Sequence, residues 1–447
     1  MGLGIDKTSI DFRIASAFLR QRYPLSSAGM ELKEKVRYEI EHGSLSSELI
    51  EQLPTVENLR LELFADFDLT PEQELKIFGW DLSCIQTHKG CTHQCEICYK
   101  DAGRKLEMMP FAAIAKIAKK KLKYDKMGVN EWLVWQKRLL DKGILDIYKF
   151  WPPKFFRGRR DEIMSLVKIL LAEWEDYSPK VLMMRPFLES MPLRELKINY
   201  LHSVPVNYGS VHYSLFTYDD NDPLDYRDST FLHTDGTLAD YGDVFHLMAT
   251  SLRPISITTA GWFSEDNVAC RAMKKIVDEC KESPEYGDLR ISVHRYERHI
   301  KADVDKYLDE IVRMIRESAS LETIVNLYYD RGNKQEIRVI NMLTGFFEKI
   351  LIEELGVKNT DKRIITSPVS FEYGRAQQLQ EGDDYDAWDP DQNLCGIHIR
   401  PDGLVDTKPD YDWTIRKNKE GKSVYELHVP EGSVAEPTGD RLFQLEN

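Results

Sequence analysis

The sequence predicts an α/β protein built on a parallel sheet, and three observations predict it. Short apolar runs of strand character recur between residues 81 and 371. Helical periodicity fills most of the intervals between them. The alternation repeats about six times, the pattern of strand–helix–strand units whose helices cover the sheet's outer face. Around this core the chain divides into an N-terminal helical domain (1–78), the core (79–376, with a mostly helical insertion at 122–210 after the first strand–helix unit) and a C-terminal extension with a small β-hairpin region (377–447).

Each element has a local reason. Amphipathic stretches at 10–20 and 30–40 read as helices, and Thr70-Pro71-Glu72-Gln73 is a helix start: Thr70 caps, Pro71 suits the first turn and Gln73 closes a capping box. The N-terminal helices are expected to pack on the core. Strands are expected at 81–87, 211–218, 254–259, 289–295, 323–329 and 363–371, and a helix at 110–121. A helix over 265–282 gathers Val268, Ala269, Ala272, Met273, Ile276, Val277 and Cys280 on one face, with Ser264 as its expected cap. A second, over 303–318, repeats the pattern, and a third covers 335–355. Residues 381–391 form an acidic, turn-rich linker. A Pro401-Asp402-Gly403 turn between 394–400 and 403–406 reads as a hairpin, a further strand pair is expected at 413–416 and 423–429, and the tail from residue 430 is expected to be loosely ordered.

Composition narrows the function. The chain has 447 residues and a formal net charge of −14, which argues against wholesale affinity for nucleic acid or anionic membrane. No apolar run of about 18 residues appears, so no transmembrane helix and no membrane partner are expected. The first residues do not resemble a signal peptide, and the expected location is the cytoplasm. The insertion is the exception to the acidic balance. Cations such as Lys119, Lys137, Arg138 and Arg157 are interleaved there with Trp132, Trp135 and Trp151. That pattern suits an amphipathic helix with solvated lysines, a lid or peptide-docking surface, or a platform for single-stranded nucleic acid; the acidic chain favours the first.

The chemistry is concentrated in Cys91-Thr92-His93-Gln94-Cys95-Glu96-Ile97-Cys98-Tyr99-Lys100, directly after the first strand. Cys91, Cys95 and Cys98 stand at C-x3-C-x2-C spacing, close enough for three thiolates to converge on one soft metal centre. A structural zinc site would need a fourth ligand, for which Cys84, His88 and His93 are the nearest candidates. Seven scattered cysteines in a long chain do not suggest a disulfide framework. The loop lies where parallel α/β sheets carry their sites, at the carboxyl end of a strand. Cys84, Cys270, Cys280 and Cys395 read as structural thiols.

This loop resembles the signature of the radical S-adenosylmethionine (radical SAM) superfamily. The resemblance covers residues 80–376 and implies a partial (β/α)6 barrel, a 4Fe–4S cluster held by Cys91, Cys95 and Cys98, and S-adenosyl-L-methionine chelated to the remaining iron. The family usually has an aromatic before the third cysteine; Ile97 stands there, still bulky and apolar, with Tyr99 just beyond it. The family's second strand ends in a Gly-Gly-Glu-Pro-like turn that receives the methionine ammonium. Here Asn221-Asp222-Pro223 occupies that place without the glycines, so a carboxylate remains to pair with an ammonium. Ser292 and Asn326, polar residues in apolar strands, match positions that reach the ribose and carboxylate of SAM. His294 and Tyr296 are near the same edge and suit packing or substrate contact.

Gly374-Arg375-Ala376 resembles a segment of peptide-modifying members, and the hairpin resembles the start of their cysteine-rich extension. Cys395 has no cysteine after it, so no auxiliary cluster is expected and the hairpin reads as a shrunken relic or a coincidence. The resemblance implies reductive cleavage of SAM to a 5′-deoxyadenosyl radical that takes hydrogen from a substrate. It also implies an external one-electron reductant such as flavodoxin or ferredoxin. A peptide or protein is the first expectation for substrate, and a nucleotide or RNA the second. The rivals from other classes are a zinc- or iron–sulfur-binding structural protein and a cluster-based sensor.

Overall fold

A computed structural model describes residues 6–78, 82–93, 102–125, 215–217, 221–249, 255–282, 287–293, 304–319, 321–329, 334–357, 363–368, 396–408, 412–417, 423–428 and 437–445. The described part of the chain opens with α1 (Ile10–Leu19), α2 (Ser27–Glu41), the single turn α3 (Ser47–Ile50) and α4 (Pro71–Phe78). Each longer helix begins on a hydroxyl cap. Ser9 Oγ accepts from Phe12 N at 3.2 Å and Ser26 Oγ from Gly29 N at 3.3 Å. Thr70 and Gln73 form the expected reciprocal box, with Gln73 N donating to Thr70 Oγ1 at 3.3 Å and Thr70 N to Gln73 Oε1 at 2.9 Å.

The core follows as β1 (Leu82–Ile85), the short pair β2 (His88–Lys89) and β3 (Glu107–Met108), α5 (Phe111–Asp125), β4 (Leu215–Phe216), the hairpin β5 (Arg227–Leu232) and β6 (Leu238–Asp240), and α6 (Tyr241–Ala249). It continues with β7 (Ile255–Thr259), α7 (Asn267–Glu282), β8 (Gly287–Val293), α8 (Val304–Glu317), β9 (Glu322–Tyr329), α9 (Lys334–Glu353) and β10 (Ile364–Pro368). Strands β1, β4, β7, β8, β9 and β10 lie side by side in chain order, all parallel. This mixed α/β architecture with a parallel sheet is the succession the sequence predicts. Ile257, Leu289, Ile291, Val325 and Leu327 are buried within it, as strands covered by helices require. Ala269, Ala272, Met273, Ile276 and Cys280 of α7 enter the same core.

Two expectations need correction, and a third is extended. Ser264 does not cap α7: Asp266 does, its Oδ1 accepting from Val268 N and Ala269 N at 3.0 Å each, while Ser264 Oγ donates to Glu310 at 2.6 Å. Asp266 wins because an acid at the helix N-terminus also gains from the helix dipole. The tail is not uniformly loose, since β15 (Pro437–Arg441) pairs with the C-terminal hairpin. That hairpin, β11 (Gly396–Ile399) and β12 (Leu404–Lys408), joins the main sheet: β11 runs parallel to β1 on the side away from β4. Strands β13 (Asp412–Lys417) and β14 (Ser423–His428) pair as expected. Of the insertion, only the end of α5 is among the described residues; Lys137, Arg138 and Arg157 lie outside them. Within α5, Lys116 is paired with Asp66 at 2.7 Å, and Lys120 and Lys123 with Glu74. Among the described residues no helix is long and apolar enough to cross a membrane.

The N-terminal helices share one continuous hydrophobic cluster with the core, from Ile14 and Phe18 through Phe111 and Val244 to Phe347. A charged clasp adds to it. His233 Nδ1 donates to Glu57 Oε1 at 2.7 Å and Nε2 to Asp243 Oδ2 at 3.0 Å; Lys275 reaches Asp243 at 2.6 Å, and Arg271 reaches Asp240 at 2.8 Å. The bond to Asp243 raises the pKa of His233; burial works against this and the bond to Glu57 adds to it. Burial opposes ionisation of Asp243 and Glu57, yet their bonds, foremost those with His233, hold both below the usual carboxylate range. The histidine's contribution is therefore fully present below its unfolded pKa of about 6.5 and fades as pH rises through the raised folded value, while the acids' share is lost as pH falls below about 4. His233→Gln should destabilise by about 1 kcal/mol near pH 6, with the gap closing toward alkaline pH in thermal melts taken across that range.

Candidate metal and cofactor site

The site is assembled at the carboxyl ends of β1, β4 and β7. The chain leaves β1 at Ile85, pairs briefly as β2 with β3, and turns at Gly90, whose φ is +89°. A Cβ on Gly90 would lie 2.2 Å from the Lys105 carbonyl oxygen, so only glycine lets the two backbones approach this closely. Cys91 follows as a half-buried, disulfide-free thiol whose backbone N–H donates to the Gly103 carbonyl at 2.9 Å. Cys95, Ile97, Cys98 and Tyr99 lie outside the described residues. Among the described residues no group of three or more His, Cys, Asp and Glu side chains converges as a metal site.

After β4 the chain passes through Asn221 and Asp222 into a one-turn 3-10 helix, Pro223–Asp225. Asp222 is buried and richly bonded. Its Oδ1 accepts from Leu224 N at 3.1 Å; its Oδ2 accepts from Thr259 Oγ1 at 2.9 Å and Ala260 N at 2.7 Å, and faces His93 Nε2 at 3.3 Å. Burial pushes its pKa up; His93 pulls it down, Asp225 pushes it up, and the Ala260 and Thr259 donors pull it down, leaving it raised. Asp225, also buried, accepts from Thr92 N at 2.7 Å and from Thr92 Oγ1 at 2.5 Å. The segment between the first two cysteines is thus tied by Thr92 and His93 to two successive carboxylates of the β4 loop. Asn221 Nδ2 lies 3.3 Å from His88 Nδ1 and 3.4 Å from Thr87 Oγ1.

His88 is fully buried, and burial depresses its pKa to about 4, with Asp225 pulling upward and Arg227 downward. The ring is therefore neutral. With the Asn221 amide donating to Nδ1, the proton is assigned to Nε2, which has no hydrogen-bond partner among the described residues. Ser292 and Asn326, on β8 and β9, are nearly buried and are direct partners in the strand register. His294, Tyr296, Gly374-Arg375-Ala376 and Cys395 lie outside the described residues. Cys84 and Cys280 are buried, and Cys270 sits 3.4 Å from the Phe263 carbonyl. A cavity of about 390 Å³ opens beside Asp225, with Thr92, His93, Leu224, Phe263 and Asp266 also in its wall.

The structure therefore brings Cys91, Asn221 and Asp222 to the carboxyl end of the sheet and sets Ser292 beside Asn326 in register. Sequence reasoning missed Thr92, Asp225 and Thr259 altogether. The one signal was a second acid three residues after Asp222, at the carboxyl end of an apolar strand. No family model matches the chain, and no curated protein or solved structure matches it significantly.

Proposed function

We propose that the chain is a radical SAM enzyme whose six parallel strands form the family's partial barrel. The observation that carries this reading is the C-x3-C-x2-C loop leaving the first of six parallel strands in chain order. The donor set fits a 4Fe–4S cluster: three thiols on a short loop, the described one free of disulfide and half-buried. Cys91, Cys95 and Cys98 would hold the cluster, and Asn221, Asp222, Ser292 and Asn326, with Ile97 and Tyr99, would line the SAM site. When bound and reduced, the cluster would supply the electron for reductive cleavage of SAM, the chemistry that would yield a 5′-deoxyadenosyl radical for hydrogen removal from substrate.

The protein's own work is to position these groups and exclude water. Asp222 joins the ends of β4 and β7 to the cysteine loop, and the apolar strands beneath keep the floor dry. A peptide or protein substrate, a cytoplasmic setting and a flavodoxin- or ferredoxin-like donor complete the proposal. An RNA substrate would show binding that weakens steeply with salt.

The test is anaerobic reconstitution with iron and sulfide, reduction, addition of SAM, and chromatography for 5′-deoxyadenosine. The wild type should form it and Cys95→Ala should not. A full cluster without product would move the assignment to a sensor, and zinc in place of iron would leave a structural-metal protein.

A further inference from the structure

We infer that Asp225 is a positioning residue that holds the entry of the cysteine loop in its cluster-ready conformation, although its carboxylate belongs to no ligand set. The inference rests on reading the loop as a cluster site. Both carboxylate oxygens are directed at one residue, Thr92, which follows the first cysteine: Oδ2 takes the backbone N–H at 2.7 Å and Oδ1 the hydroxyl at 2.5 Å. Two bonds to one residue fix the orientation of that peptide as well as its place. Asp225 is only 3% exposed, so this acceptor pair is screened from competing water.

Its support is rigid. Asp225 ends the one-turn helix that Asp222 caps, and Asp222 is in turn fastened to Thr259 and Ala260 at the end of β7. The Cys91 N–H is tied on its other side to Gly103, and His93 faces Asp222. Three consecutive residues of the loop are thereby tied to two parts of the chain, the segment at Gly103 and the one-turn helix with its cap. Outer groups that orient ligands in this way commonly govern metal affinity by ~10-fold or more. Arg227 stands 4.0 Å from the same carboxylate, so Asp225 is also part of the charge around the loop. A buried negative charge near a cluster disfavours the reduced state, which carries one more electron.

The experiment has an arm without metal and an arm with it. In cluster-free protein, the Thr92 amide should exchange hydrogen ~10-fold faster or more in Asp225→Ala than in wild type. In reconstituted protein, a chelator should strip iron ~10-fold faster from Asp225→Ala. Thr92→Val, at an exposed side chain that does not threaten the fold, should lose iron faster than wild type, and Thr92→Ser should restore retention. Asp225→Asn, which keeps one acceptor but no charge, should retain iron better than Asp225→Ala and show a higher cluster midpoint potential. Iron loss from Asp225→Ala and Thr92→Val indistinguishable from wild type, or an unchanged Thr92 exchange rate, would overturn the inference. Failure of the wild type itself to take up iron would instead overturn the function proposed above, and the metal-free exchange would still judge the role of Asp225.

Discussion

Asp222→Ala should remove both the local structure and the chemistry of the site. The carboxylate accepts from Leu224 N, Ala260 N and Thr259 Oγ1 and faces His93, and its side chain is almost wholly shielded from solvent. Alanine leaves buried N–H groups without an acceptor, a loss on the order of 3 kcal/mol measurable by urea unfolding. Asparagine is no remedy. Whichever way its amide is turned, the NH2 group meets a backbone N–H, that of Leu224 or that of Ala260, so a cost of about 1–2 kcal/mol should remain. The ends of β4 and β7 would separate from the cysteine loop, and misplacement of about 1 Å at a reacting centre is enough to cost ~100-fold. Formation of 5′-deoxyadenosine should fall at least that far in Asp222→Ala. Wild-type turnover in a variant of this kind would show that Asp222 serves neither the proposed SAM site nor the geometry around it.

Gly90→Ala should empty the proposed metal site while leaving most of the fold standing. Two penalties coincide at this residue. Its φ of +89° disfavours any side chain, and the added Cβ would lie 2.2 Å from the Lys105 carbonyl oxygen and 2.9 Å from that of Gly103. These are backbone atoms, which cannot swing aside as a flexible side chain could. Relief requires the 103–105 segment to move away, breaking the bond that holds the Cys91 N–H to Gly103. Gly43→Ala is the matched control. It has a similar φ of +75° but open space around the new Cβ, so it should cost about 1 kcal/mol and leave iron content unchanged. Iron per chain after reconstitution, measured beside the melting temperature, separates the two. Equal iron content in both variants would show that the close approach at Gly90 is not needed for the loop.

Much of the sheet was legible because burial on both faces leaves a strong sequence trace. The runs that became β7, β8, β9 and β10 are dense in Ile, Val and Leu, and the helices between them carry apolar faces at regular spacing. The capping box at Thr70 was legible for a similar reason: its partners are three residues apart. Other features left no such trace. Ser264, Glu265 and Asp266 all suit the start of a helix, and only the structure shows that Ser264 is drawn off by Glu310. Strand β15 begins with Pro437 and has no apolar alternation, which an edge strand tolerates and a pattern search passes over. The hairpin β5–β6 was absorbed into what read as a helical interval. The bonds between Thr92 and Asp225 join residues more than a hundred positions apart through a carboxylate and a backbone amide, an arrangement with no period to detect. The site was therefore readable as a list of ligand types, while the framework that orients them was not.

The placement of β11 sets an order of events during folding. Strand β1 carries the cysteine loop from its end, and its outer edge is closed by residues more than 300 positions further along the chain. Its inner edge needs β4, which also arrives only after a long intervening segment. Contacts of such separation form late, because the intervening chain must be closed into a loop first. During synthesis the three thiols thus emerge early, on a strand with neither neighbour in place. Strand β1 gains its outer neighbour only when residues 396–399 have been added, so under the proposed function the floor beneath the loop is completed after translation of the C-terminal strands.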